Sequence, residues 1–101
     1  MKVLVIGHPD AVLGYDLVGV HGEVATTTAE TNQALDRALK TQDIGIILVT
    51  DDVAGLIRDR MDWLKLHSTV PLVLEIPSPK GDHPNQPSIT EIVFRAIGVK
   101  L

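Results

Sequence analysis

Two short segments hold residues that could do chemistry together: His8, Pro9 and Asp10 after the first apolar run, and Thr50, Asp51 and Asp52 after a later one. If those runs are neighbouring parallel strands, both segments meet at the carboxyl ends of a sheet, where open α/β folds bind ligands. Acidic residues gathered there could hold a magnesium ion, as in phosphoacceptor receiver domains, with Asp51 accepting phosphate near Asp10. A plainer reading competes with it. Thr50, Asp51 and Asp52 are equally suited to cap a helix and complement its dipole. A receiver also needs an acidic pair after the first strand, a fifth strand and a lysine at that strand's end, whereas these residues offer only Asp10. Capping is the preferred reading.

Other chemistries find no footing. Gly7 and Gly14 form neither GxGxxG nor a loop followed by Gly-Lys-Ser/Thr, so nothing cradles a phosphate. There is no GxSxG elbow. His8, His21, His67 and His83 are scattered without ligand spacing, and cysteine is missing, which excludes disulfides and thiolate metal sites. No catalytic residue, cofactor or metal is expected. A net charge of −4 argues against a broad basic face for nucleic acid and against a polybasic membrane anchor. The apolar stretch before Gly7 is too short for a membrane span or a signal core, so direct membrane insertion is not expected and the location is expected to be cytoplasmic.

The elements that position these residues follow from periodicity. Residues 3–6, 44–49 and 72–76 are continuous aliphatic runs, the pattern of parallel strands covered on both faces. Residues 23–26 are shorter and more polar and read as an edge strand. Helices are expected at 10–18, from Thr27 to about 40, and from Thr50 or Asp51 to about 65. Thr27 and Glu30 have capping-box spacing, with Leu35, Ala38 and Leu39 on one face. Val53, Ile57, Met61 and Leu64 make the stripe of the third helix. Alternating strands and helices predict an α/β fold, a four-stranded parallel sheet in the Rossmann-like or flavodoxin-like order 2-1-3-4.

With 101 residues the chain fits a single domain. Within it, the sheet portion is expected at residues 1–76 and a proline-rich loop or tether at 77–87. A C-terminal amphipathic helix follows at 88–101. Four prolines between Pro77 and Pro87 forbid a helix or a central strand there. Ser88 and Glu91 then repeat the capping-box spacing, and Ile89, Ile92, Val93, Ala96 and Ile97 recur with helical period up to Gly98. About eleven residues are too few to be a stable helix alone, so this stripe needs cover from its own sheet or from another protein.

Two of the three aromatics also stand apart. At about 100° per residue, Trp63 lies roughly 120° from the centre of its helix's apolar stripe, with Leu56 beside it. Phe94 is similarly displaced from the Ile89, Val93 and Ile97 stripe. Such residues either form the core of an interface, or pack on each other or under the proline-rich loop.

Met1-Lys2-Val3-Leu4-Val5-Ile6-Gly7 opens the chain, followed by Val12-Leu13-Gly14-Tyr15-Asp16-Leu17-Val18-Gly19-Val20. Asp43-Ile44-Gly45-Ile46-Ile47-Leu48-Val49-Thr50 comes next, then Glu75-Ile76-Pro77-Ser78, and Ala96-Ile97-Gly98-Val99-Lys100-Leu101 closes it. In this order and spacing the chain resembles the F subunit of the V/A-type rotary ATPases. The resemblance implies a non-catalytic component of the central rotor stalk, a small Rossmann-like domain bound to the coiled coil of the D subunit. It implies contact with the catalytic-head subunits and coupling of ATP turnover to ion transport. It places the protein in the cytoplasm, peripheral to the membrane as part of the complex. It also makes Ile89, Ile92, Val93, Phe94, Ala96 and Ile97 candidate partner-binding residues, and Trp63 joins them as the aromatic that stands off its helix's stripe. A degenerate receiver-like signalling module is the alternative, and a small nucleotide-binding domain a third reading.

Overall fold

Aliphatic runs flanked by turn residues become four parallel strands in the computed structural model, which describes residues 2–79. In chain order these are β1 (Lys2–Gly7), β2 (His21–Val24), β3 (Ile44–Thr50) and β4 (Leu72–Ile76). Their spatial order is β2-β1-β3-β4, as the alternation of elements predicts. The register pairs Leu4 with Ile47 and Ile6 with Val49 across β1 and β3, and Ile47 with Val73 across β3 and β4. Because side chains alternate along a strand, these residues share one face.

That face carries the core. Leu4, Ile6, Ile47, Val49 and Val73 are covered by Ala34, Leu35 and Ala38 of α2 (Thr28–Lys40). Val53, Ile57, Met61 and Leu64 from the following helical segments complete the cluster. The opposite face is covered over β1 and β2 by α1 (Pro9–Asp16). A side chain at Gly22 would bring its Cβ within 2.7 Å of Val5 Cγ1 and 2.8 Å of Val12 Cγ1. Glycine at that position of β2 therefore lets α1 lie close against the sheet.

Three elements depart from the expected bounds. The edge strand lies at His21–Val24 rather than 23–26, because the helix cap draws the next residues away. Thr27 Oγ1 accepts from the Glu30 N–H at 3.1 Å, while Glu30 Oε1 accepts from the Thr26 N–H at 3.1 Å. The Thr26 amide is thus committed to the cap instead of the ladder. The first helix begins one residue early, at Pro9, where a missing N–H costs nothing. It ends at Asp16 rather than residue 18 as the chain turns through Gly19 at φ +86°.

The third departure is the largest. The helix expected from residue 50 or 51 to about 65 is divided into α3 (Asp51–Ala54), a 3-10 turn (Gly55–Ile57) and α4 (Arg58–His67). Gly55 is a weak helix former, and Ile57 leaves helical geometry at φ −127° and ψ 43°. The expected stripe survives the break, since Val53, Ile57, Met61 and Leu64 are all buried. The boundaries expected at 77–87 and 88–101 fall largely outside the described residues.

Candidate functional site

Gly7 ends β1 at φ +140°, a conformation that glycine adopts without strain. A Cβ there would stand 1.8 Å from Thr50 Oγ1. Thr50 is fully buried in this close approach, and its hydroxyl accepts from the His8 N–H at 3.0 Å and donates to Asp52 Oδ1. Thr50 therefore stitches β1 to β3 instead of capping α3 with its side chain, which corrects the capping expected of it. The remaining acidic side chains diverge. Asp51 Oδ1 accepts from the N–H and the Oγ of Ser78, at 3.0 and 2.5 Å. The Asp10 carboxylate lies 4.0 Å from His8 Nδ1, which also accepts from the Asp10 backbone N–H at 3.1 Å. No group of three or more potential metal ligands converges among the described residues. The switch-point segments are brought together as expected, but their polar groups serve the fold.

A cavity of about 680 Å³ lies at the other end of the sheet, lined by Lys2, His21, Glu23, Arg37 and Asp43 among others. Its charges are satisfied within the chain. Lys2 pairs with Asp43 at 3.2 Å and Arg37 with Glu23 at 2.6 Å.

The outward surface of α4 is different. Met61 and Leu64 face the core, so residues on the far side of the same helix must face solvent. Trp63 is 57% exposed and Leu66 80%, and Leu56 in the preceding turn is exposed as well. The Trp63 ring stacks on His67, with centroids 4.6 Å apart and planes 18° from parallel. His67 Nδ1 lies 2.8 Å from the Trp63 carbonyl oxygen, which fixes the imidazole under the indole. Trp63 is thus an off-core aromatic held in place by its own helix.

Ion pairs lock this helix from behind. Arg58 donates to both carboxylate oxygens of Glu75 on β4, at 2.9 and 2.7 Å. Lys65 Nζ approaches the same carboxylate at 3.3 Å. Toward α2, Arg60 donates to Asn32 Oδ1 at 2.8 Å and to Asp36 Oδ1 at 2.6 Å. The paired hydrogen bonds from Arg58, aided by Lys65, hold the Glu75 carboxyl at about 2 against the opposing effect of desolvation. Glu75 in turn raises the Arg58 guanidinium. The backing is ionic, and the presented face carries Trp63 and Leu66 around the exposed Asp59.

Of the partner-binding candidates, Trp63 stands on this surface, while Ile89, Ile92, Val93, Phe94, Ala96 and Ile97 lie outside the described residues. Leu66 was not among them. Its position three residues after Trp63, off the Met61 and Leu64 stripe, was the available signal. Leu72 and Leu74 were also missed. They are 41% and 42% exposed on β4, on the face opposite α2 and α4, because a continuous aliphatic run does not reveal which face the described helices leave open.

The family model described as ATP synthase (F/14-kDa) subunit matches residues 3–93. An A-type ATP synthase F subunit of Thermococcus gammatolerans is 35% identical over 106 residues, covering 100% of this chain and 98% of that protein. A V-type ATP synthase F subunit of Fusobacterium nucleatum is 33% identical over 103 residues, covering 99% and 94%. A V-type proton ATPase F subunit 1 of Drosophila melanogaster is 39% identical over 110 residues, covering 96% and 85%. The similarity spans both the four-stranded sheet and the residues after it, so the chain belongs to the family of the ATP synthase (F/14-kDa) subunit, which includes the F subunits of A-type and V-type ATP synthases.

Proposed function

We propose that this chain is a non-catalytic central-stalk component of a V/A-type rotary ATPase, binding the coiled coil of the D subunit within the rotor. In this reading it contacts the catalytic-head subunits and helps couple ATP turnover to ion movement. It sits on the cytoplasmic side, peripheral to the membrane, consistent with no described helix being long and apolar enough to cross one. The receiver-like alternative loses its support, because Asp51 already holds Ser78 and the chain belongs to another family.

The observation that carries the reading is the construction of α4: Trp63 and Leu66 project outward from a helix whose inner side is clamped to β4 and α2. A transmitting component needs a stiff body and an apolar contact surface, and large aromatic side chains dominate such contacts. Ile89, Ile92, Val93, Ala96 and Ile97, whose helical spacing supplies an apolar stripe, form the second half of the proposed contact, with Phe94 displaced to its side. Co-purification of the full chain with the D subunit tests the reading. A stable pair is expected, and a chain that ignores this coiled-coil partner in solution sinks it.

A further inference from the structure

The proline spacing at the end of β4 leaves few ways to direct the chain that follows. Pro77 and Pro79 have no N–H, so Ser78 supplies the only backbone donor of residues 77–79. That donor goes to Asp51 Oδ1 at 3.0 Å, and the Ser78 hydroxyl goes to the same oxygen at 2.5 Å. Both partners are partly buried and lie 27 residues apart in sequence. Charge-assisted hydrogen bonds of this length are the stronger kind. The register brings them together: Ile76 is paired with Thr50 at the end of the β3–β4 ladder, so Ser78 emerges beside the residue that opens α3. Prolines on either side hold φ near −65°, so tying down the residue between them fixes the heading of the chain.

We propose that Asp51 is a positioning residue whose grip on Ser78 sets the heading of the chain at Pro79, the last point before the C-terminal segment. The assignment deepens the proposed function and rests on it in one respect. Residues 89–97 are the partner-contacting stripe of that reading, and Asp51 sets the heading of the chain that leads to them. The carboxylate that resembled a phosphoacceptor in the sequence becomes the anchor of the C-terminal segment.

Full-length Asp51→Ala, Asp51→Asn and Ser78→Ala chains test this directly. In Asp51→Ala, the Ser78 amide is expected to exchange with solvent about tenfold faster while the Val73 amide in the core is unchanged. Tryptic cleavage after Lys80 should accelerate similarly, because the protease must take up the Ser78 backbone as an extended strand. Asp51→Asn keeps an acceptor without its charge and should lie closer to wild type than Asp51→Ala in both. Ser78→Ala loses only the hydroxyl bond, and its cleavage rate should fall between the two. Unchanged Ser78 exchange in Asp51→Ala, or acceleration matched by Val73, overturns the proposal. If Asp51→Ala does not fold, an unchanged cleavage rate in Ser78→Ala overturns it instead.

A second arm measures affinity for the coiled-coil partner. A loss of about fivefold in Asp51→Ala, partly rescued by Asp51→Asn, is expected. Equal affinity of wild type and Asp51→Ala overturns the positioning role. A wild-type chain that does not bind at all defeats the proposed function, while the exchange and cleavage results still decide whether Asp51 holds Ser78.

Discussion

Glu75 and Trp63 carry the two opposite tasks of α4, the first holding the helix and the second presenting it. The Glu75 carboxyl is held at about 2, below its ordinary 4.5, first by the hydrogen bonds from Arg58. A depressed folded-state value means that its stabilisation is fully present above about pH 4.5 and is lost as pH falls toward 2. Arg58 is 43% exposed, so solvent screening reduces the contribution to about 1 kcal/mol. Glu75→Gln should therefore be less stable than wild type by about that amount at pH 7, with the gap closing by about pH 2. Denaturant melts at pH 7, 4 and 2 check this, and a gap that persists at pH 2 refutes the ionic account. Trp63→Ala belongs to the same scale. Removing an exposed ring should leave stability within about 0.5 kcal/mol, yet weaken binding to the D subunit by about 2 kcal/mol, or roughly thirtyfold. Thermal melts and titration calorimetry separate the two effects.

Among the elements, α1 depends on a missing side chain and α4 on a break in its helix. Gly22→Ala would put a Cβ 2.7 Å from Val5 Cγ1 and 2.8 Å from Val12 Cγ1. Val5 is fully buried and cannot retreat, so α1 must shift outward. The expected cost is about 1–3 kcal/mol, the usual range for overpacking. Adding Val12→Ala should recover part of it by vacating one side of the contact, and strictly additive losses in the double variant would contradict this packing. The break at Gly55–Ile57 works in the other direction. It lets α3 follow the end of β3 and α4 turn to meet β4, so that Glu75 reaches Arg58 and Lys65. One straight helix through the same residues would have no reason to satisfy both ends.

For the molecule as a whole, the buried cluster among the described residues runs from Leu4 to Val73 and joins β1, β3 and β4 to the helices that cover them. A chain truncated after Pro87 should accordingly keep its cooperative unfolding and its helix and strand content. It should also bind the D subunit at least about tenfold more weakly, the loss of one modest hot-spot contact. Loss of folding in the truncated chain would make the C-terminal segment part of the core. Unchanged affinity would move the contact elsewhere, with Leu72 and Leu74 on the sheet face the next residues to substitute.

Strand number, parallel pairing and the order 2-1-3-4 were legible in the residues themselves, because aliphatic runs alternating with amphipathic stretches permit few other arrangements. So was the Thr27 cap, whose partners lie three residues apart. Trp63 was legible as an off-core aromatic because helical period alone places it away from Met61 and Leu64. The identity of its backing was not, since Arg58 and Glu75 are 17 residues apart and meet only once β4 has paired with β3. Nor could spacing tell that Thr50 would fill the space beneath Gly7, or that Asp51 would bind Ser78 instead of a metal or a phosphate. Local periodicity decides which residues face inward. Which polar group finds which partner is decided by strand register, and register exists only in the assembled sheet.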